Sequence, residues 1–139
     1  MIKNNFLPIL LASDINVYSM ARAFHEEYGV KSLLVARSCN GPADNSKIVS
    51  PRIVQGLDDT DIFLAEMKKI HEEYKDKTLI LIGCADHYVR LIVENKEALS
   101  HMFVLPYADK PVMDNIVLKE TFYGLCGKYN LDYAKTLIY

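Results

Sequence analysis

Short apolar runs alternate with amphipathic helical segments along the sequence, and this alternation constrains the fold more than any other feature. The first apolar run, Phe6–Leu11, precedes a helical segment whose apolar residues recur every three or four positions, as at Val17, Ala21 and Phe24. A second run, Ser32–Ala36, completes a strand–helix–strand unit. Because strands joined in this way pair in parallel through a right-handed crossover, the pattern predicts an α/β fold.

The same alternation continues through the rest of the chain. The further predicted elements are extended segments at Lys47–Ser50 and Arg52–Val54, a helix from Asp58 or Asp59 to Tyr74, a strand at Thr78–Ile82, a helix capped by Asp86, a strand at Phe103–Leu105, helices at Val112–Leu118 and Lys119–Tyr129, and an extended run at Thr136–Tyr139. Strands that alternate with helices form an open, mostly parallel sheet with helices on both faces. The predicted fold class is therefore a Rossmann-like α/β domain.

Residue types add some expectations about packing. Pro8 has no N–H to donate, so we expect it at the start of its strand or facing a gap in the pairing. The tyrosines on apolar helix stripes, predicted to lie mostly in the core, are Tyr18, Tyr28, Tyr74 and Tyr129. The residues predicted to face inward on the last helix are Phe122, Leu125, Cys126 and Tyr129.

Composition and charge exclude several classes of protein. The chain has 139 residues and a net charge of −2, and its basic residues are interspersed with acids. We therefore expect no nucleic-acid binding and, because no apolar stretch is long enough to cross a bilayer, no membrane insertion. The three cysteines, Cys39, Cys84 and Cys126, are odd in number and far apart. This pattern argues against a disulfide framework or a structural zinc site and predicts a cytoplasmic protein.

Ligands of such folds bind where the carboxyl ends of the parallel strands meet. The segments predicted to converge there are Ala12–Asn16, Gly83–His87 and Pro106–Pro111. The first has neither a GxGxxG pattern nor a glycine-rich phosphate loop, which argues against a dinucleotide site. It would instead present a helix N-terminus to a carboxylate or a single phosphate. The alternative is that Ser13, Asp14 and Asn16 only cap the helix.

Catalytic residues are not evident from the sequence. Cys84 would act as a nucleophile only if a base or a helix terminus activated its thiol, and packing within a turn is the favoured alternative. The histidines have no partners at the spacing of metal ligands. The residues alone therefore predict a ligand-binding domain without a catalytic constellation.

Two segments resemble a known family. The opening, Phe6–His25 (FLPILLASDINVYSMARAFH), is similar to the start of bacterial carboxylate–amine ligases of the ATP-grasp superfamily, a group that includes the D-aspartate ligases of Gram-positive cell-wall synthesis. The tail, Leu118–Thr136, resembles the stretch that leads into the ATP-grasp domain, in which a lysine opens a helix and a turn and a strand follow. Asn130 stands where that turn usually has glycine, and Asp132 and Ala134 stand where prolines are common.

The resemblance implies the first part of a three-part ligase, the pre-ATP-grasp domain. Such enzymes phosphorylate a carboxylate with ATP and Mg²⁺ and then let an amine attack the acyl phosphate, and both substrates are expected to be small molecules of the amino-acid kind. The resemblance also implies that most of the ATP site and the Mg²⁺-binding acids lie downstream of Tyr139. The chain alone is therefore expected to be inactive and to hold neither cofactor tightly.

Candidate site residues come from the same resemblance. Lys119 is the candidate contact to nucleotide phosphate, and its alternative is a solvated lysine in the first turn of a helix. The candidate contacts to the carboxylate or amine substrate are Ser13, Asp14, Asn16 and Arg22. Arg22 could supply the bidentate donors that a carboxylate prefers, or it could only pair with Glu26 one helical turn later.

The whole chain, 1–139, is interpreted as one pre-ATP-grasp domain, with a sheet core to about residue 118 and a connection to the ATP-grasp domain at 119–139. The chain stops within an apolar extended segment, which predicts a boundary inside a longer polypeptide. The downstream ATP-grasp domain is then the expected partner, and a homodimer is compatible with these features. The alternative function is a stand-alone, flavodoxin-like ligand-binding or regulatory module without catalysis.

Overall fold

The computed structural model describes residues 5–39 and 41–135. Within those ranges the chain forms strands and helices that alternate as the sequence predicts, with a 3-10 turn at Gly41–Ala43. In chain order the elements are β1 (Phe6–Leu11), α1 (Ile15–Tyr28), β2 (Ser32–Ala36), β3 (Val49–Ile53), α2 (Thr60–Glu73), β4 (Thr78–Gly83), α3 (Asp86–Glu94), α4 (Lys96–Leu99), α5 (Lys110–Val117) and α6 (Lys119–Lys128). The extended run predicted at 136–139 lies outside the described residues.

The strands form one parallel sheet in the order β3-β2-β1-β4. β1 pairs along its whole length with β4 and over its second half with β2, and β2 pairs with β3. Beyond β4, Val104 makes a single parallel bridge to Ile80, so the strand predicted at Phe103–Leu105 pairs at only one residue. The predicted α/β class with a parallel sheet is confirmed.

The direction of the chain across the sheet reverses once. It runs from β1 through β2 to β3 at one edge and then returns across the sheet to β4. Because parallel crossovers are right-handed, this reversal places α1 and α2 on opposite faces, as predicted. A flavodoxin-like sheet has the order 2-1-3-4-5, whereas here β3 lies outside β2. The flavodoxin-like topology is therefore wrong, and the Rossmann-like one is confirmed.

The central strands are buried on both faces, which explains why they are continuous apolar runs in the sequence. Every residue of β2 is buried, as is β1 from Leu7 to Leu11. The apolar stripe of α2 packs into the same core, with Phe63, Met67 and Ile70 fully buried. Burial of each large apolar side chain contributes about 1.5–3 kcal/mol, so this core is the main source of stability.

Both strand prolines lie where a missing N–H is tolerated. The N–H of Ala12 donates to the carbonyl of Val35, so the even-numbered residues of β1 direct their nitrogen atoms toward β2. Pairing with β2 begins only at Ile9, and Pro8 therefore faces the gap before that pairing, as predicted. Pro51 lies inside β3, an edge strand of the described sheet. The prediction of two separate extended segments, Lys47–Ser50 and Arg52–Val54, is therefore wrong, because a single strand runs through the proline.

Side-chain caps start the two long helices. Asp14 caps α1 and Asp59 caps α2, and each carboxylate accepts two backbone N–H groups. Asp58 is thus not the cap of α2, and its carboxylate is available for other contacts. The cap predicted for α3 is wrong, because Asp86 is the first residue of that helix and Ala85 occupies the cap position.

Met1–Pro106 and Tyr107–Tyr139 form two separate compact units, and α5 and α6 belong to the second. On α6, Cys126 is buried as predicted, but Phe122 and Tyr129 are exposed, so the inward stripe is wrong at those two positions. The assignment of 1–118 to a sheet core and of 119–139 to a connection stays a prediction.

One tyrosine of the first unit is also more exposed than its helical stripe predicts. Tyr28 is 44% accessible, although its ring packs edge-on against Phe6 at a centroid distance of 5.3 Å. Phe24 lies beside both rings, and the three form an aromatic cluster near the amino end of β1. The core prediction for Tyr28 is therefore wrong, although the side chain is packed on one side.

Candidate functional site

A cleft opens at the carboxyl edge of the sheet, where the chain leaves β1, β2 and β4. One part of it, about 190 Å³ in volume, is bordered by Ser13, Asp14, Arg37, Ser38, His87 and Tyr88. The other part, about 370 Å³ in volume, is bordered by Arg37, Asp58, His87, Arg90, Leu91 and Glu94. The two parts share Arg37 and His87, and together they form the carboxyl-edge cleft.

The topology explains this position. The connections that leave β1 and β4 run to opposite faces of the sheet, and such a switch in direction opens a crevice at the carboxyl ends of the strands. Two of the segments predicted to converge here do so, since Ser13 and Asp14 follow β1 and His87 follows β4. The third predicted segment, Pro106–Pro111, spans the boundary between the two compact units.

Asp14 occupies the amino end of α1 with its own carboxylate. Oδ1 accepts from the backbone N–H groups of Asn16, at 3.0 Å, and Val17, at 3.3 Å, while Oδ2 accepts from the side-chain Nδ2 of Asn16 at 3.1 Å. Two of the N–H groups expected to be open to an anion are therefore already bonded. The capping interpretation is confirmed for Asp14, and a substrate role for Ser13, Asp14 and Asn16 stays a prediction.

The other two candidate residues lie elsewhere in the fold. Arg22 Nε bonds Glu26 Oε1 at 2.6 Å, both side chains are well exposed, and the pair lies about 10 Å along α1 from its amino end. The structure thus forms the Arg22–Glu26 pair that the sequence offered as an alternative, and it does not place Arg22 at the border of the carboxyl-edge cleft. Lys119 begins α6 in the second compact unit, as predicted for its helix, and its contact with nucleotide stays a prediction.

The backbone at the end of β1 is strained. Ala12 has a φ of 125°, a region that residues with a Cβ rarely adopt. Its N–H bonds Val35, and the carbonyl of Leu11 before it accepts from Cys84 N, so both neighbouring strands hold this turn in place. Strain of this kind persists where the surrounding structure over-determines the conformation, and here it sets the direction in which Ser13 and Asp14 enter the cleft.

A polar cluster that the sequence did not predict borders both parts of the cleft. Asp58 lies at its centre: its Oδ2 bonds Arg37 Nη1 at 2.7 Å, and its Oδ1 lies 3.6 Å from His87 Nε2. The phenol of Tyr88 lies close enough to both the Asp58 carboxylate and the Arg37 guanidinium for each to influence its pKa. These four residues, which we call the Asp58 cluster, come from the end of β2, the start of α2 and the first turn of α3.

Tyr88 is the buried member of the Asp58 cluster, with only 3% of its surface accessible. Burial, followed by the nearby Asp58 carboxylate, raises the pKa of Tyr88 to about 12. The phenol therefore stays protonated at neutral pH, with its O–H beside the Asp58 carboxylate.

Cys84 lies at the end of β4 and is not activated. Burial, and secondly the Asp14 carboxylate, raise the pKa of Cys84 to about 11. A nucleophilic cysteine needs the opposite shift, so this environment agrees with the packing role that the sequence favours. Within the described residues, His, Cys, Asp and Glu form no group of three that could hold a metal ion.

We predict that alkylation of Cys84 by iodoacetamide has a pH profile with a midpoint near 11. The thiolate fraction at pH 8 should be about 100-fold lower than that of an ordinary thiol. Peptide mass spectrometry after timed alkylation between pH 7 and pH 11.5, with glutathione as the reference, measures the profile. Asp14→Asn should move the midpoint downward, and a rate that already levels off by pH 9 in the unmodified chain would contradict the assignment.

The fold and the cleft define a class: an α/β domain with a Rossmann-like parallel sheet and a polar cleft at its carboxyl edge. The sequence is 41% identical over 136 residues to the D-aspartate ligase of Enterococcus faecium (strain Aus0004), a match that covers 96% of this chain and 32% of that protein. The predicted resemblance to the D-aspartate-ligase group is thus confirmed, and the chain spans about a third of the length of that relative.

Two further comparisons found no counterpart. No protein-family model matches the sequence, and no solved structure matches it. Among the helices of the described ranges, none combines the length and the apolar character needed to cross a bilayer.

Proposed function

We propose that this chain is the N-terminal, substrate-side domain of an ATP-dependent ligase that joins a carboxylate to an amine through an acyl phosphate. The observation that carries the proposal is the 41% identity to a D-aspartate ligase across nearly the whole chain. The carboxyl-edge cleft supports it, because such a crevice is where α/β domains of this topology bind small ligands.

The division of labour in the proposed enzyme follows from the length of the relative. Two thirds of that ligase lies outside the match, and we assign the ATP-grasp domain, with most of the ATP site and the Mg²⁺-binding acids, to the corresponding part of a longer polypeptide. ATP supplies the phosphoryl group that activates the carboxylate, and the amine then displaces phosphate to form the amide. Lys119 remains the proposed contact of this chain to nucleotide phosphate.

The name of the relative suggests D-aspartate as the first carboxylate to test. The carboxyl-edge cleft is lined by groups of both signs, among them Asp14, Arg37 and Asp58, and such a lining suits a zwitterionic amino acid. Ser13, Asp14 and Asn16 remain the proposed substrate contacts near β1. Arg22 could contact the substrate only if its ion pair with Glu26 were broken. A cytoplasmic location is part of the proposal, since the free cysteines suit a reducing compartment.

The test is ADP release by the full-length enzyme. The assay contains ATP, Mg²⁺ and an amine acceptor, which is taken from a panel of amino acids and of peptides with a free amine. ADP release should require an added carboxylate and should be strongest with D-aspartate or a close analogue. The 139-residue chain alone should release no ADP. A full-length enzyme that no carboxylate stimulates would contradict the proposal, and turnover by the chain alone would show that a downstream domain is not needed.

A further inference from the structure

Arg37 is the residue whose position in the cleft best suits the recognition of an anionic group. It directly follows β2 and borders both parts of the carboxyl-edge cleft. Its carbonyl accepts from Gln55 Nε2 at 3.2 Å, and its guanidinium bonds Asp58 at 2.7 Å, so the residue is held at both ends. The side chain is nevertheless 59% accessible. A guanidinium has five N–H donors, so an accessible Arg37 that bonds Asp58 through Nη1 keeps further donors for a ligand in the cleft.

The Asp58 cluster is built to hold that guanidinium. An ion pair between two exposed side chains is usually mobile and contributes little. Asp58 differs from an ordinary surface acid because the buried phenol of Tyr88 lies beside it and His87 Nε2 lies 3.6 Å from its Oδ1. The cluster joins three separate elements, so its geometry depends on the tertiary fold.

The other arginines are held differently. Arg22 and Arg90 each pair with a glutamate one turn along the same helix, and both of these side chains are more than 60% accessible. Arg52 lies between Glu66 and Glu73 and is mostly buried. Arg90 also borders the larger part of the cleft, but among the arginines of the described chain Arg37 alone borders both parts. Its partner Asp58 comes from a different element of the fold.

Resting on the proposed function, we propose that Arg37 binds a carboxylate of the acidic substrate and that Asp58 and Tyr88 are positioning residues for its guanidinium. A planar guanidinium recognises a carboxylate through two parallel N–H donors, which a lysine cannot reproduce. Asp14 borders the same part of the cleft, on the side of β1, where the ammonium of an amino acid would find an opposite charge.

The first test compares KM values in the full-length enzyme. Arg37→Gln should raise the KM for D-aspartate by about 10- to 100-fold, the loss expected for one charge-assisted pair, and leave the KM for ATP unchanged. Arg37→Lys should recover only part of that loss. Lys68→Gln is the matched control, since it removes one cation from the exposed side of α2 and should change neither KM.

The second test examines the positioning role of Tyr88. Tyr88→Phe removes only the phenol oxygen, and it should raise the KM for D-aspartate in the same direction as Arg37→Gln but less. Combined with Arg37→Gln, it should have no further effect on that KM, because both changes act through one guanidinium. A purely structural role would instead lower stability and alter both KM values independently of Arg37.

The outcomes separate this inference from the proposed function. If the unmodified enzyme shows no carboxylate-dependent ADP release, the proposed function fails and the role of Arg37 fails with it. If release is intact but Arg37→Gln, folded by circular dichroism, keeps the KM for D-aspartate, the inference alone is overturned. A rise in that KM in Arg22→Gln with none in Arg37→Gln would assign the carboxylate to α1 and overturn it as well.

Discussion

Replacement of Arg52 by methionine should lower the free energy of unfolding by about 3 kcal/mol, because it leaves the Glu66 carboxylate buried without its main partner. Arg52 Nε bonds Glu66 Oε1 at 2.6 Å, and the Glu66 side chain is only 8% accessible. Arg52 also bonds Glu73 through Nη1. Lys69 approaches the other oxygen of Glu66 at 3.3 Å and offsets part of the lost free energy. We therefore expect a destabilisation at the lower end of the range that is typical of a broken buried ion pair.

The double variant Arg52→Met/Glu66→Leu should recover most of that stability. Apolar side chains of similar volume often replace a buried ion pair at little cost, since neither charge then has to be desolvated. Urea unfolding of the 139-residue chain, followed by circular dichroism, measures all variants. Arg22→Met is the matched control, because it breaks an exposed pair that should contribute little to the free energy of unfolding. An Arg52→Met variant as stable as Arg22→Met would refute the importance of burial here.

The fold could be predicted because its determinants are local. The apolar runs, the Asp14 cap and the left-handed Gly29 at the end of α1, with φ of 66°, are all set by residues close in sequence. Prediction failed where tertiary context decides. Val104 extends the sheet by only one bridge, and the exposure of Phe122 depends on what its helix packs against, which no helical spacing reveals.

The candidate site was predictable only in part, for the same reason. Ser13 and Asp14 follow a recognisable strand and precede a recognisable helix, so their place at the carboxyl edge could be inferred. Arg37, Asp58 and Tyr88 are widely separated in sequence, and no spacing motif connects them. The sequence did contain one indication that Arg37 belongs to the site. Arg37 directly follows the second apolar run, and parallel strands end at the same edge of a sheet. The contribution of Asp58 appears only in the structure, where Asp59 caps α2 and Asp58 bonds Arg37 instead.

Gly83→Ala should destabilise the chain by about 3 kcal/mol and displace the first turn of α3. A Cβ at Gly83 would lie 2.6 Å from the backbone N of Val89 and 2.9 Å from the backbone C of Tyr88. Both atoms belong to the main chain, so no side-chain rotation relieves the contact. Either β4 or α3 must move, and movement of α3 carries His87 and Tyr88 away from Asp58.

Two measurements separate this local effect from general loss of stability. Gly124→Ala is the matched control, because it makes the same change within α6, where a Cβ meets nothing within 4 Å, and it should stabilise that helix by about 0.5–1 kcal/mol. Ultraviolet titration of the tyrosines then reports on the cleft. If α3 moves, the pKa of Tyr88 should fall from about 12 toward its ordinary value, since the phenol loses both its burial and its contact with Asp58. The contrary result is a folded Gly83→Ala chain that keeps both its full stability and the tyrosine that titrates late. That result would show that α3 need not approach β4 so closely. The Asp58 cluster would then not depend on a glycine at the end of β4.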